Sequence, residues 1–205
     1  MSRWIRLLAC QCLIAATLPA VAATAIGKVD RTEGPCQGAI AGTVNDLSPG
    51  LPVFVDEAIS TGPDARIAVS LDDGTMLTLG EKASLTLDDF VFDPSGEDKL
   101  HAAITGAFRF VSGKLAPGGT REASVTTPVA VIGVRGTDFW GGPIDGNFGV
   151  VLLEGAIAVT ANGGTVTLGA TGQGTSIAAA GAAPGLMTNW PADKLARALA
   201  TVTFR

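Results

Sequence analysis

From about residue 26 onward, Gly, Pro, Asp and Asn divide this sequence into short runs of apolar residues. Some runs alternate apolar with polar residues, which is typical of strands with one buried face, and others are continuously apolar, which is typical of fully buried strands. No amphipathic helical pattern appears until about the last fifteen residues. The pattern therefore predicts an all-β chain with a short C-terminal α-helix.

The predicted strands are too short to bury much apolar surface each, so many of them must share one core. Such strands suit a short-stranded β-solenoid-like domain or a compact sandwich. Hydrophobic residues make up 47% of the sequence and aromatic residues 5%, so Val, Leu, Ile and Ala must supply most of the core. The predicted strands are residues 26–31, 38–44, 52–55, 65–71, 75–79, 84–87, 90–92, 99–104, 107–111, 123–126, 129–134, 137–140, 148–153, 156–160 and 165–168.

Two of the turns have the residues of tight β-hairpins. Asp73-Gly74 separates two alternating runs, and Asn162-Gly163 followed by Gly164 separates two others. Asp-Gly and Asn-Gly pairs favour two-residue turns in which both residues have positive φ. Both sites are predicted as two-residue hairpins.

The C-terminal region, residues 171–205, is predicted to be a Gly/Ala-rich tail that ends in the short helix. Pro191 suits the first turn of a helix, where its missing N–H has no partner to lose. Leu195 and Leu199 are spaced i, i+4, so one apolar face could cover an exposed end of the β core. We expect Trp190 to anchor this helix by packing.

The N-terminus is typical of a secretory signal peptide. Arg3 and Arg6 precede a short apolar run, and the sequence then reaches a small-residue site that predicts cleavage after Ala22. The predicted domains are therefore residues 1–22 as the signal peptide, 23–170 as the β domain and 171–205 as the tail. An uncleaved membrane anchor is the alternative.

The expected mature chain is acidic and carries one thiol. Loss of residues 1–22, which include Arg3 and Arg6, takes the formal charge from −5 to −7. Such a chain is a poor binder of nucleic acid, whose phosphates require clustered Lys and Arg. Cys10 and Cys12 leave with the signal peptide, so no internal disulfide can form, and we expect Cys36 to be a small buried residue.

Residues that could support catalysis or bind a metal are few. His101 is the sole histidine, and one imidazole makes neither a multi-His metal site nor a triad with an evident nucleophile, so we expect a solvent-facing strand residue. Calcium is an open alternative, because its roughly six oxygen ligands could come partly from clustered carboxylates. These carboxylates are Asp72, Asp73, Asp88, Asp89, Asp93, Glu97 and Asp98. The sequence predicts no catalytic residue, no metal site and no cofactor, and hence no enzyme.

The most informative segment is residues 125–140, VTTPVAVIGVRGTDFW. Pro128 cannot donate to a β-ladder and so indicates a sheet edge or the start of a strand. Gly136 permits a bend or a close approach of the backbone, and Phe139 and Trp140 are expected in or around the core.

Within the same segment, Arg135 stands among apolar residues. A buried guanidinium requires hydrogen-bonded carbonyl or anionic partners. We expect Arg135 to be buried, with Asp138 or Glu154 as its partner.

The segment resembles the signature of the FecR domain family, in which a Thr-Pro strand is followed by a Val-Arg-Gly-Thr-acid-Phe turn. The resemblance extends over about residues 26–168, because Thr-Gly, Asp-Gly and Glu-Gly turns at 61–62, 73–74 and 154–155 also look like those of the family. It implies an all-β, solenoid-like periplasmic domain that works by protein contact. The matching signature residues are Thr127, Pro128, Val134, Arg135, Gly136, Thr137, Asp138 and Phe139.

The sequence also departs from the best-known members that it resembles, which are transporter-linked transmembrane regulators. We expect neither their cytoplasmic anti-sigma segment nor their later membrane helix here. The resulting prediction is an exported, non-enzymatic protein-binding, sensing or scaffold module of the cell envelope, periplasmic or secreted. Its partner is expected to be an envelope protein of unknown identity, with no nucleic acid and no stable membrane span after signal cleavage.

Two alternatives accompany this prediction. The chain could instead be a signalling component of a transport-regulation system, held at the inner membrane by an uncleaved N-terminal anchor. The signature residues are expected to form the structural framework of the fold, and direct binding of a partner is the alternative.

Overall fold

The structure is a computed structural model that describes residues 24–92, 97–113 and 120–205, without the side chains of 97, 98 and 120–122. The predicted signal peptide and Asp93 lie outside the described residues, as do the side chains of Glu97 and Asp98. The elements are β1 (Ala25–Glu33), β2 (Cys36–Ile40), β3 (Thr43–Asp46), β4 (Pro52–Phe54), β5 (Ala58–Thr61), β6 (Arg66–Leu71), β7 (Met76–Leu79), β8 (Ser84–Val91), β9 (Glu97–Thr105), β10 (Phe108–Val111), β11 (Thr120–Thr126), β12 (Val131–Ile144), β13 (Asn147–Ala161), β14 (Gly164–Leu168), β15 (Gln173–Ile177), β16 (Thr188–Asn189) and α1 (Ala192–Ala200).

The prediction of an all-β fold with a short C-terminal helix is confirmed. The sixteen strands of the described part form one curled sheet, whose main path has the order β3-β2-β5-β8-β9-β11-β12-β10-β7-β6-β1-β4. We call β3-β2-β5-β8-β9-β11 the A half and β10-β7-β6-β1-β4 the B half. The chain moves repeatedly between the halves, so neighbours in sequence are often on opposite sides of the core.

Strand β12 connects the two halves. Its first part, Val131 to Val134, pairs with β11, and its later part, Asp138 to Gly141, pairs with β10. On its other edge β12 pairs with β13, which also pairs with β14 and β15. These pairings are antiparallel, whereas β9 and β11 are parallel. A single long strand therefore joins the two halves of the sheet.

One hydrophobic core lies inside the curl and receives side chains from both halves. Leu85 and Leu100 enter it from the A half, and Val69 and Phe110 enter it from the B half. Each of these four side chains is at most 1% exposed. Burial of an aliphatic or aromatic side chain of this size stabilises the fold by about 1.5–3 kcal/mol.

The hairpin at Asn162-Gly163 has the predicted turn, since both residues have positive φ, 43° and 75°. The hairpin at Asp73-Gly74 differs from the prediction, because only Gly74 has a positive φ, of 83°. The carboxylate of Asp73 accepts hydrogen bonds from the Thr75 amide at 2.8 Å and the Thr75 hydroxyl at 2.7 Å. These bonds hold Asp73 inside a wider loop, so a two-residue turn was the wrong prediction for this hairpin.

Residues 190–205, which we call the C-terminal strap, lie on the outer face of the sheet. Trp190 is 8% exposed and packs edge-on against Trp140, with ring centroids 6.0 Å apart. Gly174 provides the space for Trp190, because a Cβ there would overlap the indole. The anchoring role of Trp190 is confirmed, but the helix covers an outer face rather than an end of the β core. In the part of the chain that the structure describes, no helix has the length and apolarity to cross a bilayer.

Candidate functional site

The signature begins in the tight turn between β11 and β12. Thr127 is buried, and its hydroxyl donates to the carbonyl of Ala130 at 2.9 Å and accepts from the amide of Ala130 at 3.0 Å. The backbone amide of Thr127 also donates to the Ala130 carbonyl, at 2.8 Å. Pro128 is exposed in this turn, where a fixed φ is favourable and no ladder donor is required. The expected sheet edge or strand start at Pro128 is therefore replaced by a turn.

The signature continues into a β-bulge between β12 and β13. Arg135 is opposite Ala156 and Asp138 is opposite Glu154, so Gly136 and Thr137 together face Gly155. Gly136 and Gly155 have φ of +61° and +84°, and a Cβ on Gly155 would overlap the Gly136 carbonyl oxygen. An extra residue in one strand increases its twist and redirects its side chains. The bulge coincides with the point where β12 leaves β11 and joins β10.

Arg135 is exposed, which contradicts the expected burial. It forms no hydrogen bond or ion pair with any residue that the structure describes. The physical reason is strand alternation, because Ile132 and Val134 point into the core and the residues between and after them point outward. The bulge then exposes Gly136 as well. Neither Asp138 nor Glu154 is its partner.

Asp138 instead binds Arg109 of the neighbouring strand β10. Nε of Arg109 donates to Oδ1 at 2.9 Å, and Nη2 donates to Oδ2 at 2.6 Å. The side chain of Asp138 is 15% exposed and that of Arg109 is 43% exposed. These charge-assisted bonds raise the pKa of Arg109. The signature carboxylate therefore fastens β12 to the B half.

Thr137 and Phe139 complete the inner side of the signature. The amide of Thr137 donates to Oγ of Ser112 at 3.0 Å, and the carbonyl of Thr137 accepts from the Ser112 amide at 2.8 Å. Phe139 is fully buried, stacks on Phe110 with centroids 5.5 Å apart and meets Phe108 edge-on at 5.8 Å. These contacts hold β12 to the residues after β10 and to the aromatic part of the core.

Outside the curl, the signature presents a surface in which Arg135 stands among smaller side chains. We call this surface the signature face, and it consists of Ser124, Val131, Gly133, Arg135 and Ala158. Cross-strand pairing places Gly133 between Ser124 and Ala158, and Val131 is 45% exposed. A Cβ on Gly133 would meet no atom closer than 3.9 Å. The face therefore has a shallow depression beside the Arg135 guanidinium, which no described side chain pairs.

His101 lies next to the signature face and has a partner that the sequence did not reveal. Its Nδ1 is 2.7 Å from Oγ of Ser124, and both side chains are half-buried. The register places Asp89 opposite His101 on the other side, but no hydrogen bond joins these two residues. Among the described residues, no third group orients the imidazole of this pair as in a catalytic triad.

The carboxylates considered for calcium are separated by the fold. Asp73 is buried in its own turn, and Asp88 and Asp89 lie on β8. In the described ranges, no group of three or more His, Cys, Asp or Glu residues is close enough to hold a metal ion. This search for metal-binding groups does not include Asp93 or the side chains of Glu97 and Asp98, which are not described.

Cys36 and Glu57 are buried titratable side chains that lie away from the signature. Cys36 is 3% exposed as expected, its thiol donates to the Arg66 carbonyl at 3.3 Å, and burial raises its pKa. Glu57 is 5% exposed and accepts one hydrogen bond, from the Phe54 amide at 3.1 Å. Burial raises the pKa of Glu57.

Sequence reasoning missed Arg109 as the partner of the signature carboxylate. Phe108 and Phe110 alternate with it, so its outward direction was readable from the sequence. Its pairing with Asp138 depends on the adjacency of β10 and β12, which no local pattern specifies.

Comparison with known proteins gives the following similarities. The sequence profile of the FecR protein family matches residues 57–158. No curated protein matches the chain. Two crystal structures of a candidate anti-sigma factor from Parabacteroides distasonis, at 1.65 and 2.50 Å resolution, have TM-scores of 0.57 and 0.56 and 19% sequence identity. The match covers 69% of this chain and 64% and 63% of those chains, so this chain spans less than two thirds of their length. At this identity the likeness shows a shared fold.

Proposed function

Because residues 57–158 form a FecR-family domain, we propose that this chain is an exported, non-enzymatic signalling module that recognises a protein partner in the cell envelope through its signature face. The single observation that carries the proposal is the guanidinium of Arg135 at the centre of the family signature, which is exposed and has no partner among the described residues. Thr127, Asp138 and Phe139 of the signature have structural partners, whereas Arg135 forms no hydrogen bond or ion pair with any described residue.

The chemistry of the signature face favours a protein partner with a carboxylate. Arginine is enriched at the energetic centres of protein interfaces, because its planar guanidinium binds carboxylates through two hydrogen bonds. Gly133 and Ala158 let a partner approach the sheet closely, and Val131 offers an exposed apolar contact. An acidic side chain that enters the depression at Gly133 would reach both Arg135 and the hydroxyl of Ser124.

A role in regulation is supported by the comparisons. The family is named for FecR, and the similar crystal structures are described as candidate anti-sigma factors. Carried over to this chain, these descriptions favour signal transduction by protein contact over catalysis. The serine–imidazole pair at Ser124 and His101 is then part of the contact surface.

Export is supported by the N-terminal pattern of basic residues, apolar run and small-residue cleavage site. The mature protein would lie in the periplasm or outside the cell. An uncleaved anchor at the inner membrane is the alternative form of the same signalling role. The intact mass of the exported protein distinguishes them, because cleavage after Ala22 gives a chain that starts at Ala23.

Site-specific photo-cross-linking tests the contact surface. A benzoylphenylalanine at Val131 reports on the signature face, and one at Met76, which is 50% exposed on the B half, is the matched control. In cells of the source organism, position 131 should cross-link one discrete envelope protein and position 76 should not. An Arg135→Glu exchange should remove the product, and Arg135→Lys should retain part of it. Equal products from both positions, or no product from 131, would contradict the proposal.

A further inference from the structure

A groove of about 370 Å³ lies between the C-terminal strap and the outer face of the B half. Its floor is a cross-strand row in which Arg31, Ala68, Thr78 and Arg109 are neighbours on β1, β6, β7 and β10. The strap forms the opposite wall with Leu199, Val202, Thr203 and Phe204. The groove is distinct from the signature face, which belongs to the A half and the first part of β12.

Arg31 stands at one end of the groove with hydrogen-bonding capacity to spare. Its guanidinium stacks over the Phe204 ring at 4.5 Å and donates to the Arg205 carbonyl at a long 3.4 Å. No carboxylate of the described residues forms an ion pair with it. The Glu33 carboxylate on the same strand is within electrostatic range of Arg31. Arg31 therefore brings a positive charge with unused N–H donors, held in place by an aromatic ring.

Arg109 stands at the other end, about 14 Å from Arg31 along the backbone row, which is three strand spacings. Asp138 uses its Nε and Nη2, so the two N–H groups of Nη1 remain for another acceptor. Its side chain is 43% exposed. Two arginine side chains, each held by its own partners, thus flank a floor of Ala68 and Thr78.

The walls limit the chemistry of an occupant. Leu199, Val202 and Phe204 provide apolar surface, and the hydroxyls of Thr78 and Thr203 provide hydrogen-bonding groups. No carboxylate is among the described residues that line the groove. The volume falls in the range of small-molecule pockets, about 300–1,000 Å³, at its lower end.

We infer that the groove binds a small organic anion with one carboxylate and a compact apolar body. The carboxylate accepts hydrogen bonds from Arg31, the positive charge of Arg109 at the other end adds electrostatic attraction, and the apolar body packs against Leu199, Val202 and Phe204. Bound there, the ligand contacts the sheet and the strap together, so it favours the docked strap. This inference stands independently of the proposed function, because the signature face contributes no residue to it.

Isothermal titration calorimetry of the full mature protein with 4-phenylbutyrate tests the inference, with the uncharged 4-phenylbutyramide as the matched ligand. The carboxylate should bind saturably, and the amide at least tenfold more weakly. Arg31→Gln should weaken the carboxylate at least tenfold, and Thr78→Trp should abolish binding by filling the groove. Lys28→Gln removes one positive charge from the same strand outside the groove and should leave the affinity unchanged.

Hydrogen exchange supplies the second readout. Saturating 4-phenylbutyrate should slow amide exchange in residues 199–204 of the native protein and leave it unchanged in the Thr78→Trp variant, whose fold is checked by circular dichroism. No saturable binding, equal binding of acid and amide, or an Arg31→Gln variant that binds as tightly as the native protein would each overturn the inference.

Discussion

Asp138 on β12 binds Arg109 on β10 through both carboxylate oxygens, at 2.9 and 2.6 Å. Three residues earlier, Arg135 points to solvent and has no partner within the described structure. The β-bulge at Gly136 separates these two environments. The family signature therefore has an inner, structural part and one outward-facing charge.

The ion pair predicts a measurable but modest stability effect. Asp138→Asn removes the negative charge and one acceptor, and should lower the free energy of unfolding by about 1 kcal/mol, since Arg109 is partly exposed and solvent screens the pair. Urea denaturation measures the change. Glu154→Gln on the facing strand is the control and should change stability by less than about 0.5 kcal/mol. Equal losses in both variants would show that Asp138 has no special structural role.

For Arg135 the prediction is the absence of a stability effect. Because the side chain is exposed and unpaired within the described structure, Arg135→Ala should change the free energy of unfolding by less than about 0.5 kcal/mol. Thermal and urea denaturation check this. A loss of 2 kcal/mol or more, the order expected when buried acceptors lose their partner, would mean that Arg135 has structural contacts after all.

The bulge requires glycine at position 155 for two reasons, a left-handed φ of +84° and the close carbonyl of Gly136. Gly155→Ala should therefore cost on the order of 3 kcal/mol, since strain and overlap add. Gly163 has a similar φ of +75° but no atom within 4 Å of a Cβ. Gly163→Ala should cost only about 1–2 kcal/mol from backbone strain. Similar melting temperatures for the two variants would argue against the tight bulge.

The raised pKa of Glu57 predicts that the stability of the fold depends on pH. Burial raises its pKa, so the folded protein binds this proton more tightly than the unfolded chain does. The stabilisation that comes from protonated Glu57 is fully present below the pKa that Glu57 has in the unfolded chain. It is lost as the pH rises through the pKa that Glu57 has in the folded protein. Glu57→Gln, which keeps an acceptor for the Phe54 amide, should be more stable than the native protein at pH 7 and lose this advantage near pH 4.

Glu81 provides the opposite case for the same experiment. The backbone amide of Asp64 donates to its carboxylate at 2.9 Å and lowers its pKa. Its stabilising contribution is therefore present above the unfolded pKa and lost as pH falls through the folded pKa. Urea denaturation of Glu81→Gln between pH 3 and 7 should show a loss relative to the native protein at neutral pH that disappears in acid. The same sign for both variants would contradict the two assigned environments.

Local patterns predicted much of the fold. Alternating runs located the strands, and Asn162-Gly163 specified its turn, because both features depend on neighbours in sequence. The turn at Asp73 was predicted less well, since the carboxylate of Asp73 holds its own loop through Thr75. Adjacency of strands that are distant in sequence could not be read, because the chain alternates between the two halves.

The signature illustrates the same limit at the candidate site. Alternation of Ile132 and Val134 would have placed Arg135 on the solvent side, but its apolar neighbours favoured burial. Arg109 is the partner of Asp138 because β10 pairs with β12. Ser124 is the partner of His101 because β9 and β11 pair in parallel. These contacts follow from topology, which is set by the packing of the whole core.

The yield of the cross-linked product from position 131 in cells, compared between native Arg135 and Arg135→Glu at equal protein levels and equal melting temperature, tests the central claim most directly. A discrete product that requires Arg135 is the predicted result. An undiminished product in Arg135→Glu, or the absence of any product from position 131, would contradict a partner-binding role for the signature face.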